Sequence, residues 1–280
     1  MLRFRKILYQ IRWFTLLFLH RTRCLVFTRR CKSLFLYFLK KPHEPEFRIF
    51  ENFNGESGLF VDIGANSGQS VLSFRLFNQS FKVLSFEPNP IHEKDLKFIK
   101  TFFGGLFDFK MLGIGKENQV KTLYIPSIHG LAFTQEATFI LDEIHLPLTQ
   151  QRMRTIAGPC KMEVQKVEIQ LARLDDFQLK PDFIKLDIQG LELEALQGMW
   201  MTLSIHRPIL IIENGKNLSK IAELLYPLHY TNAYHYDPLS RRVLPILEPH
   251  CTLNVFFIPA EKVAYLGNHG IDLSQIMKIN

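Results

Sequence analysis

Short apolar runs bounded by Gly, Pro, Asn or Asp recur along the chain, at Leu59–Val61, Lys82–Phe86, Phe107–Met111, Phe183–Leu186, Ile209–Ile212 and Asn254–Ile258. Runs of that length read as buried strands. Between them lie stretches with helical spacing: Val71, Leu72, Phe74, Leu76 and Phe77 after the first run, Leu96, Ile99 and Phe103 after the second, and Asn217–Leu225 after the fifth. Strands alternating with helices predict an α/β fold with a parallel sheet at its centre. Gln119–Pro126 reads as an extra edge strand, and Met162–Leu171 as a strand whose alternation slips once, as at a bulge. Tyr230–Tyr236 and Val243–Leu247, joined by Asp237-Pro238-Leu239-Ser240, read as a hairpin. Residues 127–160 are broken by Gly130, Pro147, Gly158 and Pro159, and are expected to form a lid. His129 and His145, inside that stretch, are expected to be ordinary surface or packing histidines.

The first two strands carry the clearest chemistry. Asp62-Ile63-Gly64-Ala65-Asn66-Ser67-Gly68 reads as a strand end turning through glycines into a helix, and Glu87 with Pro88 closes the second strand. One carboxylate thus leaves each strand at its C-terminal edge, where open α/β sheets bind ligands. Gly64 and Gly68 are expected to let backbone N–H groups approach a ligand with no Cβ in the way. Glu87, 19 residues beyond Gly68, is placed to accept the two hydroxyls of a ribose. A charge-assisted bond of that kind contributes roughly 1.5–3 kcal/mol. The dinucleotide fingerprint G-x-G-x-x-G is missing, which favours a nucleoside without a pyrophosphate. Later strands deliver Asp187 and then Glu213-Asn214 to the same edge. Asp175-Asp176 reads equally well as a helix cap or as part of a site.

Asp62–Gly68, Phe86-Glu87-Pro88-Asn89-Pro90 and Phe183-Ile184-Lys185-Leu186-Asp187-Ile188-Gln189-Gly190-Leu191-Glu192-Leu193-Glu194 together resemble the signature segments of the FkbM family of S-adenosylmethionine-dependent methyltransferases. The resemblance implies a Rossmann-like class I methyltransferase sheet flanked by helices. It assigns S-adenosylmethionine to Asp62, Gly64, Asn66, Gly68 and Glu87, with Gly113 and Ile114 beside the adenine. It also implies O-methylation of a sugar, glycan or natural-product hydroxyl. Asp187 is then the first candidate for the base or acceptor-orienting group, Glu213 the second, and Glu192 a third whose helix-stabilising role competes. Gln189 stands where many relatives carry glutamate, which weakens any mechanism needing a charge there. A divalent metal held by Asp187 and Glu213-Asn214 is an open variant and is not expected. Two rivals remain, a nucleotide-sugar-using transferase on a similar sheet and a non-catalytic module at a membrane.

Charge changes the picture at one end. The chain of 280 residues carries a formal charge of +7, but residues 1–41 hold 11 Lys and Arg and no acid, leaving 23 basic against 27 acidic residues elsewhere. A nucleic acid is therefore disfavoured as acceptor. The apolar runs Trp13–Leu19 and Ser33–Leu39 are too short to span a bilayer, and the arm reads as a basic, aromatic-rich helical extension lying on an anionic membrane surface. Packing on the enzyme is the alternative. The expected division is an extension over 1–41, a linker and lead-in over 42–56, the methyltransferase domain over 57–259 and a tail over 260–280. Four scattered cysteines, Cys24, Cys31, Cys160 and Cys251, support neither a disulfide framework nor a zinc site. A cytoplasmic setting is expected, with peripheral attachment at the inner face of the membrane.

Overall fold

A computed structural model of the chain describes residues 33–128, 130–157, 162–246, 252–269 and 271. Most of the basic arm, together with His129, lies outside the described residues. The described residues fall into two compact units, one of 36–119 with 171–271 and one of 120–170 with 33–35. The strands in chain order are β1 (Leu59–Ile63), β2 (Lys82–Phe86), β3 (Phe107–Lys110), β4 (Gly113–Ile114), β5 (Gln119–Ile128), β6 (Leu131–Ala132), β7 (Glu163–Ala172), β8 (Phe183–Leu186), β9 (Ile209–Glu213), β10 (Asn232–Asp237), β11 (Arg242–Pro245) and β12 (Asn254–Ile258).

The larger unit is organised by an eight-stranded sheet of order β11-β10-β12-β9-β8-β1-β2-β3. β3, β2, β1, β8 and β9 run parallel, whereas β12 enters antiparallel between β9 and β10. That order, with one reversed strand inserted near its end, is the class I methyltransferase sheet. The central strands are apolar on both sides because both faces are covered. Phe60, Phe183, Ile209, Ile211, Phe256 and Ile258 point into one core, while Val61, Ile63, Ile184, Leu186, Leu210, Ile212, Val255 and Phe257 point into the other. Asp62 and Lys185 interrupt this alternation on the first face, and they are register partners across β1 and β8. Ser85 pairs with Asp62 on the other side. A polar stripe therefore crosses three strands beneath the first core.

That first core corrects the expected linker. Pro45–Phe53 forms a 3-10 helix whose Phe47, Ile49, Phe50 and Phe53 are buried. Phe50 packs its ring against Phe60, Phe74 and Phe183 at centroid distances of 5.2, 4.6 and 5.0 Å. The polar letters of Pro42–Glu46 hid an amphipathic segment whose apolar spacing begins only at Phe47. The expected tail is corrected in the same way, since Leu266 and Ile271 join this core.

Helix α1 (Gln69–Phe77) follows the glycine loop, and α2 (Glu93–Phe103) follows a 3-10 turn begun by Pro90. The other unit contains β5 lying between β7 and β6, so the predicted edge strand is internal to a small sheet. It also contains α3 (Leu141–Ile144) and α4 (Pro147–Ala157), and its own core of Ile128, Phe133, Ile144 and Met153. In the larger unit, α5 (Glu192–Gln197) and α6 (Trp200–His206) follow β8, α7 (Leu218–Leu225) follows β9, and α8 (Lys262–Asn268) follows β12. Among the described residues no helix is long and apolar enough to cross a membrane.

Candidate active site

The glycine loop spends its own donors. Gly64 and Ala65 donate to the Phe86 carbonyl at 2.9 and 3.2 Å, and Gly68 donates to Ala65 at 2.8 Å. Asn66 N–H reaches Glu87 Oε2 at 2.7 Å, and Ser67 N–H reaches Asn66 Oδ1 at 2.7 Å. All five N–H groups have partners in the chain, so the loop is no phosphate cradle. Gly64 has φ +93°, and a Cβ there would lie 1.9 Å from the Asp187 carbonyl oxygen. A Cβ at Gly68, with φ +82°, would meet Ile99 Cδ1 at 2.2 Å. Both glycines are thus required by close packing and left-handed backbone.

Glu87 is fixed by the same loop. Its Oε1 accepts Asn89 N–H at 2.8 Å while Oε2 accepts Asn66 N–H. Each carboxylate oxygen still has a lone pair for a hydroxyl. Burial pushes the Glu87 pKa up to about 7, against the two amides that favour the charged form. Asp62, fully buried, accepts Ser85 Oγ on Oδ2 at 3.0 Å, but Oδ1 has no hydrogen-bond partner. Burial raises it to about 6, opposed by Lys185 and Ser85. Gly113 and Ile114 pair with Leu171 and Ala172, and the Ile114 side chain is committed to the second core. Adenine contact by that side chain is therefore withdrawn.

Lys185 is the residue that sequence reasoning missed. Its side chain is 1% exposed, and Nζ lies 2.9 Å from Asp187 Oδ2 and 3.8 Å from Glu44 Oε2. Burial works against the ammonium, yet Asp187, Glu44 and Asp62 outweigh it and hold it charged. A lone cation inside Phe183-Ile184-Lys185-Leu186, two residues before an Asp, was the available signal. Glu44, from the supposed linker, is buried and raised to about 7 by that burial, with Lys185 pulling the other way. Asn254 Nδ2 bridges Glu44 Oε2, at 3.1 Å, and Glu46 Oε1.

Asp187 leaves β8 with its N–H on the Ile63 carbonyl at 3.0 Å. Glu213 ends the adjoining β9; burial and the neighbouring Asp187 carboxylate raise it to about 7. The two candidates therefore form one carboxyl pair. Glu192 is placed differently: it accepts Gly190 N–H at 3.0 Å and Ile188 N–H at 3.3 Å, bracing the turn into α5 at its first residue. Asp175 caps α6, accepting Thr202 N–H at 2.8 Å and Met201 N–H at 3.1 Å. Among the described residues no group of three or more His, Cys, Asp or Glu side chains is arranged for a metal ion. His145 borders a cleft of about 450 Å³ in the smaller unit, with Gln150, Arg154 and Thr155.

Carboxylates thus stand at or near the C-terminal ends of β1, β2, β8 and β9 on a class I sheet. Residues 62–240 match the family model described as the methyltransferase FkbM domain. A 158-residue segment is 28% identical to Methyltransferase sdnD of Sordaria araneosa, covering 50% of this chain and 59% of that protein. Among solved structures, the FkbM methyltransferase of Methylobacillus flagellatus is 20% identical with TM-score 0.43, covering 71% of this chain and 43% of that one. A Thermotoga maritima SAM-dependent O-methyltransferase is 13% identical with TM-score 0.39, covering 77% and 64%. The chain belongs to the FkbM methyltransferase family.

Proposed function

We propose that the chain is an S-adenosylmethionine-dependent O-methyltransferase acting on a hydroxyl of a sugar, glycan or natural-product-like acceptor. The observation that carries this reading is a sheet edge with more buried and half-buried acid than base. Lys185 faces Asp62, Asp187, Glu213 and Glu44, Glu87 lies within reach of Asp62 and Asp187, and the pKa values of four of these five acids are raised. Such a site suits a ligand that brings positive charge and ribose hydroxyls. S-adenosylmethionine brings both, and when bound it supplies a methyl carbon activated by a sulfonium. Glu87 would accept the ribose hydroxyls, and the unpartnered Asp62 Oδ1 would face the polar end. A nucleotide sugar is less well served, because its diphosphate finds none of the five loop N–H groups free.

Methyl transfer is an in-line displacement: the acceptor oxygen bonds to carbon, the S–C bond breaks, and the hydroxyl proton must leave. Asp187, anchored by Lys185, orients that hydroxyl, and the Asp187–Glu213 pair receives the proton. Calorimetry with S-adenosylmethionine and S-adenosylhomocysteine tests the reading. Both should bind, and Glu87→Ala should weaken them at least ~10-fold, the low end for a charged hydrogen bond. Folded protein that binds neither ligand would end the proposal.

A further inference from the structure

The larger unit also carries an exposed apolar face. Phe38 and Leu39, at the end of the helical segment 33–38, are 67% and 48% exposed, while Phe102 on α2 and Leu106 just beyond it are 50% and 36% exposed. The two elements are joined underneath. Tyr37 meets Phe103 edge-on at 5.9 Å, and Phe102 in turn touches Phe98 and Phe103 at 6.2 and 6.1 Å. Tyr37 and Phe103 pack on the core, which fixes the outer phenyls in place. Large exposed aromatics grouped on a rigid base mark an interaction surface.

Charge identifies the partner. Lys40 and Lys41 are exposed beside Phe38 and Leu39. The acids Glu93 and Asp108 are already paired with Lys97 and Lys100, at 2.7 and 2.6 Å. Residues 1–32, which precede Ser33 in the chain, bring nine more Lys and Arg and no acid. Phenyls that can sink into a headgroup layer, flanked by lysines that reach back to it, fit a bilayer interface rather than a globular groove.

We propose that Phe38, Leu39, Phe102 and Leu106, with Lys40 and Lys41, dock the folded unit on an anionic lipid surface. The arm's contribution is thereby extended onto the catalytic unit itself. The inference does not rest on the methyltransferase reading, since it concerns none of the site residues. Full-length protein is sedimented with phosphatidylcholine vesicles, with and without phosphatidylglycerol. Binding should require the anionic lipid and fall with salt. The double variant Phe38→Ser with Phe102→Ser should lower the partition coefficient at least ~10-fold, as expected for two phenyls withdrawn from an apolar phase. Lys40→Glu with Lys41→Glu, which cannot unpack a core, should lower it as well. Equal binding to uncharged vesicles, or partition unchanged in both variants, overturns the proposal. A dimer that the Phe38→Ser, Phe102→Ser variant dissociates, with vesicle binding intact, would assign the face to a second copy instead.

Discussion

Lys185 shows how one buried charge can order a site. Removing an ammonium from water is costly, and it is tolerated here because Asp187 lies within 2.9 Å and Glu44 within 3.8 Å. The same pairing fixes where Asp187 points. Asp187→Asn should therefore bind S-adenosylmethionine nearly normally yet transfer methyl to an identified acceptor at least ~100-fold more slowly. Full turnover in that variant would show that the residue only completes the turn. The partner Glu213, raised to about 7, supplies a pH signature. Glu213 must lose its proton to act as base, so the rate should climb as pH rises through about 7. Glu213→Gln should remove that limb, and a parent profile flat across the range would contradict the assignment.

At the level of elements, the 3-10 helix Pro45–Phe53 does two jobs. Its phenyl rings seal the first core, and its leading edge delivers Glu44 and Glu46 to Lys185 and Asn254. Phe50→Ala should cost about 3–5 kcal/mol, as for other fully buried aromatics. Urea unfolding with a loss below about 1 kcal/mol would show that this segment is not core. The strands were legible because each reads as an apolar run between turn residues; β2, β8 and β12 begin and end where the pattern places them. Glu87, Asp187 and Glu213 followed from being the next polar residues after those runs. Gly64 was legible as a special position, but its reason was not: only the fold brings the Asp187 carbonyl to the space a Cβ would fill. Glu44 was illegible because its partner Lys185 is far along the chain, and local composition carries no record of such a contact.

For the whole molecule, the buried acids set a direction for stability against pH. Glu44, Glu87 and Glu213 are each raised to about 7 and Asp62 to about 6, all chiefly by burial. The folded chain then holds these protons more tightly than the unfolded chain. Their stabilisation is complete below about pH 4, the ordinary carboxylate range, and is lost as pH rises through 6 to 7. His43, lowered by burial and by Lys185, acts the other way but is a single group. Melting temperature should decline from mildly acidic to neutral pH at constant ionic strength, and Glu44→Gln should flatten the decline. A melting temperature that climbs over this interval would refute the arrangement of charges.

The position of β12 governs how the molecule is born. Asn254 lies 210 residues after Glu44, and β12 slides between β9 and β10, strands that leave the ribosome before it. A nascent chain halted just short of β12 therefore holds an unfilled slot, with the backbone of Ile209–Glu213 bare along one side. Through that interval the half-made sheet is a template for any strand that happens to fit, and the carboxylates around Lys185 lack Asn254. Synthesis rate over the last part of this domain, and the presence of a chaperone able to shield one open strand edge, should thus decide the yield of soluble protein more than any event in the first half of the chain.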